Sequence, residues 1–296
     1  MVSVRFLAGA ALPLLCAAIN PVAVYDGGYG KNASILLGIG NGGAGQSGLI
    51  KALADAFIED SVNNGSAPFR VAWYQSDTTY SINYLKDGLI DVAVTYSPAA
   101  ERIAIEQGIA VAPAYYAFRD HFLLVGPPSN PANVSTASDI YTIFSDLHEA
   151  AEAANSTPPV RFLSRYDKSA TNIKESDLWI SIGQVPWSTA YSTWYHQYIT
   201  FPIQSLTAAI LLDEYTLTDR GTFLSLPANL TSETTIYKAA TDDDDALLNP
   251  AHLLVGARAP NPKTAKAFAE WMVSPAGQNV VKGFKKNGEQ LYTPAP

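Results

Sequence analysis

The densest ligand-binding chemistry in this sequence lies in nine consecutive residues, Ser164-Arg165-Tyr166-Asp167-Lys168-Ser169-Ala170-Thr171-Asn172. The Arg165 guanidinium can hold an oxyanion through two parallel hydrogen bonds, and Ser169 and Thr171 add hydroxyl donors where a helix would start. Asp167 supplies the competing reading, a solvated loop in which it pairs with Arg165 or Lys168. A second concentration is the turn Gly40-Asn41-Gly42-Gly43-Ala44. Its glycines let backbone N–H groups point inward, and the helix that follows presents unpaired donors and a partial positive charge. A small anion or polar ligand could sit there without any lysine. The alternative is a tight turn that serves strand–helix geometry alone. Asp77, followed by Thr78, contributes a carboxylate that would instead favour a neutral polar or cationic ligand.

Other chemistries are thinly represented. Gly38, Gly40 and Gly43 match the spacing of a dinucleotide loop, but no acidic residue closes the next strand near residues 71–74, and no Gly-Lys-[Ser/Thr] occurs. No cofactor is expected. The chain lacks a G-x-S-x-G elbow and an H-E-x-x-H helix, and its four histidines stand apart. No enzyme activity is expected; a hydrolase would need an acid–base pair at the cleft that the spacing does not reveal. The acidic run 242–245 lacks the ligand alternation of a calcium loop. Trp187, Tyr191, Tyr195 and Tyr198 would share one face of a helix over 188–198, a packing surface or a stacking platform for a ring.

These residues need a scaffold. Strand patterns at 35–39, 69–74, 90–95, 121–125, 160–163 and 253–257 alternate with helical periodicity, the first helix following Ser47 as its cap. That order predicts an α/β architecture of two lobes with mixed, largely parallel sheets. The expected division is a discontinuous first lobe, 31–124 and 252–296, and a second lobe, 127–248. With 296 residues, 48% hydrophobic and 16% charged, the chain can bury a sizeable core. A formal charge of -8 without clustered Lys and Arg argues against a nucleic-acid partner.

Residues 1–18 read as a secretory signal peptide: Arg5, an apolar run, then Ala17 and Ala18. The run is too short to span a bilayer, so the mature chain is expected to carry no transmembrane segment. The only cysteine, Cys16, falls inside it. Sequons at Asn32, Asn64, Asn133, Asn155 and Asn229 fit a eukaryotic glycoprotein, secreted to the exterior or cell wall and monomeric.

Several short segments, in order, resemble the bacterial tungstate-binding periplasmic proteins and their secreted fungal relatives. They are Ser47-Gly48-Leu49-Ile50, Asp91-Val92-Ala93-Val94, Asp120-His121-Phe122-Leu123-Leu124-Val125-Gly126-Pro127, Ser164-Arg165 with Asp167, Ser169 and Thr171, Tyr215 to Thr222, Asn249-Pro250, and Trp271 with Ser274-Pro275. The resemblance, to the fungal branch in particular, implies a type II periplasmic-binding fold with a small oxyanion such as tungstate or molybdate in the interlobe cleft. By position it implies that Gly40 through Ala44 face Arg165, Ser169 and Thr171. A surface or host-interaction protein that keeps only the scaffold is the alternative.

Overall fold

The computed structural model describes residues 19–153, 157–240 and 246–296; the signal segment, Asn155 and the acidic run 242–245 lie outside the described residues. The chain opens with β1 (Ala23–Tyr25), β2 (Ile35–Asn41), α1 (Gly43–Ser47), α2 (Leu49–Asn63), β3 (Arg70–Gln75), α3 (Thr78–Lys86), β4 (Val92–Thr95) and α4 (Pro98–Glu106). Helix α2 buries Leu49, Ile50, Leu53, Phe57 and Ile58 on one face, as their spacing dictates. Helices α3 and α4 begin where Asp77 and Ser97 accept the N–H groups of Tyr80 and Ala100. Ser47 does not cap α2. Gly48 holds that position at φ 100°, which glycine adopts without strain, while the Ser47 hydroxyl bonds to the Ala44 carbonyl and the Tyr292 hydroxyl.

The remaining elements are β5 (Ala110–Gly126), α5 (Ile140–Glu152), β6 (Phe162–Ser164), α6 (Ala170–Ser181), β7 (Tyr195–Gln197), α7 (Pro202–Leu211), β8 (Tyr215–Asp219), α8 (Arg220–Phe223), β9 (Thr235–Ala239) and β10 (Leu248–Gly256). Two helices, Pro262–Met272 and Pro275–Gly283, follow. The main sheet runs β1-β3-β2-β4-β10-β5-β8-β6-β7, with β9 also on β5.

Parallel pairing joins β2 to β3 and β4, and β6 to β7 and β8. The pairs β1–β3, β4–β10, β5–β10, β5–β8 and β5–β9 are antiparallel. Among the described residues the sheet is therefore mixed and mostly antiparallel, which corrects the expectation of a largely parallel one. Parallel neighbours need a crossover connection, often a helix, whereas β5 and β10 run straight past one another.

Two apolar cores flank this crossing. One gathers Leu37, Leu53, Phe57, Val92, Phe118, Ala251, Leu253 and Phe268; the other gathers Phe122, Phe144, Phe162, Trp179, Tyr215 and Leu247. The chain leaves the first core between Phe118 and Phe122 and returns between Leu247 and Ala251. Asp120 and Asn249 are register partners at that double passage.

The expected helix over 188–198 is absent. A short 3₁₀ turn, Pro186–Ser188, leads to Tyr191 at φ 59° and then to β7. The Ser192 hydroxyl accepts the N–H groups of Trp194 and Tyr195, a local bond that competes with helix formation. Trp194 and Tyr195 enter the second core while Tyr191 stands in solvent, so the aromatic residues share no face. Asn32, Asn64, Asn133 and Asn229 are exposed. No helix among the described residues is long and apolar enough to cross a membrane.

Candidate functional site

Strands β2, β3, β6, β7 and β8 direct their carboxyl ends toward one cleft of about 710 Å³. The turns leaving those ends carry its lining: Gly42 and Gly43 after β2, Asp77 and Thr78 after β3, Arg165 to Thr171 after β6, Phe201 and Pro202 after β7, and Asp219 closing β8. Carboxyl ends of strands are where open α/β sheets bind ligands, because turn backbone and helix N-termini converge there. Of the residues singled out from sequence, Gly42, Gly43, Asp77, Thr78, Arg165, Ser169 and Thr171 meet in this cleft.

Gly40, Asn41 and Ala44 do not line it. Asn41 is fully buried: its Nδ2 donates to the Val94 carbonyl (2.9 Å) and the Tyr96 hydroxyl (3.2 Å), and its Oδ1 accepts the Gly45 N–H (2.9 Å). Its amide is spent on shaping the turn and has no donor left for a ligand. A Cβ on Gly40 would lie 2.5 Å from Ile90 Cδ1, a packing constraint, whereas at Gly43 it would meet nothing within 4 Å. Gly43 is thus the open point of the first turn.

Across the cleft, Arg165 Nη2 donates to Asp167 Oδ2 at 2.5 Å, and Asp167 Oδ1 accepts both the backbone N–H (2.9 Å) and the hydroxyl (2.5 Å) of Ser169. Arg165 Nε is buried with no hydrogen-bond partner. The sequence left open whether Asp167 pairs with Arg165; it does, and the pair still leaves a guanidinium donor free. Ser169 caps α6 by accepting the Asn172 N–H, so its proton goes to Asp167 and its oxygen to the helix. Thr171 is buried at the cleft wall and its hydroxyl has no partner among the described residues. The Thr78 hydroxyl accepts the Tyr96 N–H at 3.4 Å and keeps its own proton available.

The Arg165 turn rests on a residue that sequence reading passed over. Glu175 of α6 is buried and accepts the Ser164 hydroxyl (2.6 Å), the Tyr195 hydroxyl (2.8 Å), Trp179 Nε1 (3.2 Å) and Asn172 Nδ2 (3.4 Å). The Ser164 oxygen in turn accepts the Tyr166 N–H, fixing the exit from β6. Burial pushes the Glu175 carboxyl up to about 7, against the pull of its four donors. Nothing in the local pattern marks this residue, because its partners come from a strand end, a helix and a distant strand.

Asp120 and Asp219 were also missed as site residues, although each interrupts or ends an apolar strand. Both line the cleft beside Asn249. Four acidic side chains, Asp77, Asp120, Asp167 and Asp219, therefore line the cleft with Arg165, the single Arg or Lys among the described lining residues. No group of three or more His, Cys, Asp or Glu among the described residues is arranged to hold a metal ion. The arrangement offers a guanidinium, two hydroxyls and turn amides to an anion, inside an otherwise acidic rim.

Residues 37–276 match the PBP superfamily domain, and the chain belongs to that family, a class of solute receptors without catalytic function. A solved periplasmic protein proposed to bind metal is 67% identical, with 93% of this chain and 99% of that one aligned and a TM-score of 0.87. The tungstate-binding protein TupA of Peptoclostridium acidaminophilum is 30% identical over 71% of this chain and 70% of its own. An ABC-transporter protein of Haloferax volcanii, proposed to bind anions, is 29% identical over 84% of this chain and 68% of its own. These relatives come from bacteria and archaea. They overturn the expected placement in a secreted fungal branch, and the similar solved structure is that of a periplasmic protein.

Proposed function

We propose that this chain is an exported receptor that holds a small oxyanion of the tungstate or molybdate type between the Gly43 turn and the Arg165 to Thr171 loop. It acts in the periplasm rather than at a cell wall, with residues 1–18 as its export signal. Residues 31–124 with 252–296 form one lobe and 127–248 the other, and the two close on the ligand about the double passage at Asp120 and Asn249. The tungstate- and anion-binding relatives support this reading. The observation that carries it is the lining of one cleft by Arg165, whose buried Nε has no partner, together with Thr171 and the open Gly43. The guanidinium neutralises the ligand, and the hydroxyls and amides complete its shell at fixed directions.

Calorimetric titration with tungstate, molybdate, sulfate and phosphate tests the proposal. At least one oxyanion should bind saturably and raise the unfolding temperature, since only native-state binding stabilises. Arg165→Ala should weaken that binding roughly ten- to a hundredfold, the worth of a charged hydrogen bond of about 1.5 to 3 kcal/mol. A folded wild-type protein that binds none of these anions contradicts the reading.

A further inference from the structure

Asp120 occupies a peculiar place. It lies where β5 passes from one apolar core to the other, it is buried, and it still borders the cleft. On β5 it shares a face with Phe122, whose register partner on β8 is Asp219. Asp120 and Asp219 are therefore diagonal cross-strand neighbours, within reach of one another's side chains. Their hydrogen bonds are unequal. Asp219 accepts both the backbone N–H (2.8 Å) and the hydroxyl (2.5 Å) of Thr222, whereas Asp120 accepts its neighbour's N–H from His121 (2.8 Å) and a long contact from Asn249 Nδ2 (3.4 Å).

Resting on the oxyanion reading above, we propose that Asp120 enters the cleft as a neutral carboxylic acid and donates its proton to a ligand oxygen, so that oxyanion uptake is proton-linked. Two ionised carboxylates this close in a desolvated setting repel each other, and one relieves the repulsion by keeping its proton. Asp219 is the less buried of the two and has the stronger set of donors, so Asp120 is the one that keeps the proton. Burial, and then the charge of Asp219, pushes the Asp120 carboxyl well above the usual range, only partly opposed by His121 N–H, Asn249 and the Arg220 guanidinium. Tyr96 and Tyr292, which also face it, are themselves raised by burial and stay neutral. Arg119 and His121 flank it on β5, and Asp77, Arg165 and Asp167 line the same cleft. A fully deprotonated dianion brings only acceptor oxygens, so an ionised Asp120 would repel it while a protonated one supplies a short, strong bond. The same proton explains how a rim with four acidic side chains can accept a dianion at all.

The test is calorimetric titration of the full chain with tungstate and with sulfate, both dianions across neutral and alkaline pH, repeated in buffers of different ionisation heat. The wild type should bind progressively more weakly as the pH rises through the Asp120 transition, approaching tenfold per pH unit, with proton uptake on binding above it. Asp120→Asn keeps a donor without a titrating proton; it should flatten the profile and abolish the uptake. Binding at constant affinity and without proton uptake in the wild type overturns the proposal, and this readout needs no variant. A slope that survives Asp120→Asn belongs to another group, His121 first, and overturns it equally. Absence of any oxyanion binding at every pH overturns the oxyanion reading itself, a different result from flat binding.

Discussion

Replacing Glu175 with glutamine isolates one buried charge beneath the Arg165 turn. The carboxyl is raised from 4.5 to about 7 by burial, so its sign is that of a group that prefers its protonated form when folded. Its contribution to stability is complete below 4.5 and is lost as the pH rises through about 7. At about 1.4 kcal/mol per pKa unit, that shift is worth about 3 kcal/mol. For a chain of this size each kcal/mol moves the midpoint by about 2 to 4 °C, so Glu175 should lower the wild-type midpoint by about 6 to 12 °C between mildly acidic and mildly alkaline pH. Glutamine keeps a carbonyl for Tyr195 and Trp179, presents an NH2 where Ser164 and Asn172 had an acceptor, and never ionises. Asp120 is raised by burial too and slopes the same way, so the informative quantity is the difference between the two proteins. Thermal unfolding followed by circular dichroism across that range should show Glu175→Gln less stable than the wild type at acidic pH, by roughly 1 kcal/mol for its poorer bonds, then crossing it and ending more stable by roughly 2 kcal/mol once Glu175 has ionised. Parallel curves would refute the reasoning, because they would mean that Glu175 is no more protonated in the folded chain than in the unfolded one.

Two further substitutions probe the packing behind the first turn and the charge of the cleft. A Cβ at position 45 would fall 2.1 to 2.3 Å from the Trp73 indole, whose Nε1 is itself tied to the Asn41 carbonyl. Gly45→Ala should therefore destabilise by about 1 to 3 kcal/mol, read as a lowered unfolding midpoint; an unchanged midpoint would show that the turn yields freely. Asp167→Asn removes a negative charge from the cleft while leaving an acceptor for Ser169. At a separation of about 6 Å in water-like dielectric, repulsion of a dianion by that charge is about 1.4 kcal/mol, so tungstate should bind about tenfold more tightly. Weaker binding in a calorimetric titration would show instead that Asp167 is needed to hold the Arg165 guanidinium in place.

Much of this architecture is legible in the sequence because burial leaves a periodic trace. Helix α2, the strand at β4 and the break between Pro262–Met272 and Pro275–Gly283 all follow from apolar spacing and punctuation. Strand direction leaves no such trace. The amino-terminal half of β5 carries Pro113, which argues against a strand, yet it pairs with β10 through a register irregularity between Val111 and Tyr115 that spares the proline a ladder bond. The aromatic run from Trp187 to Tyr198 has helical spacing by coincidence; Ser192 and the pairing of β6 with β7 decide its path.

The site was readable where side-chain chemistry is local and unreadable where it is assembled. The stretch from Arg165 to Thr171 and the open glycine at Gly43 announce themselves by composition and reach the cleft together. Asn41 has the right chemistry for a ligand, but bonds to Val94, Tyr96 and Gly45 consume it. Asp120, Asp219 and Glu175 acquire meaning only when β5, β8 and α6 bring distant segments into register.

The most direct measurement is an anomalous-difference map at the tungsten edge from crystals of the protein grown with tungstate. A single strong peak in the cleft, within hydrogen-bonding reach of Arg165, Thr171 and the Gly43 amide, is the predicted result. Diffraction from well-ordered crystals in which the metal scatters elsewhere, or nowhere, while the cleft holds only solvent would contradict it.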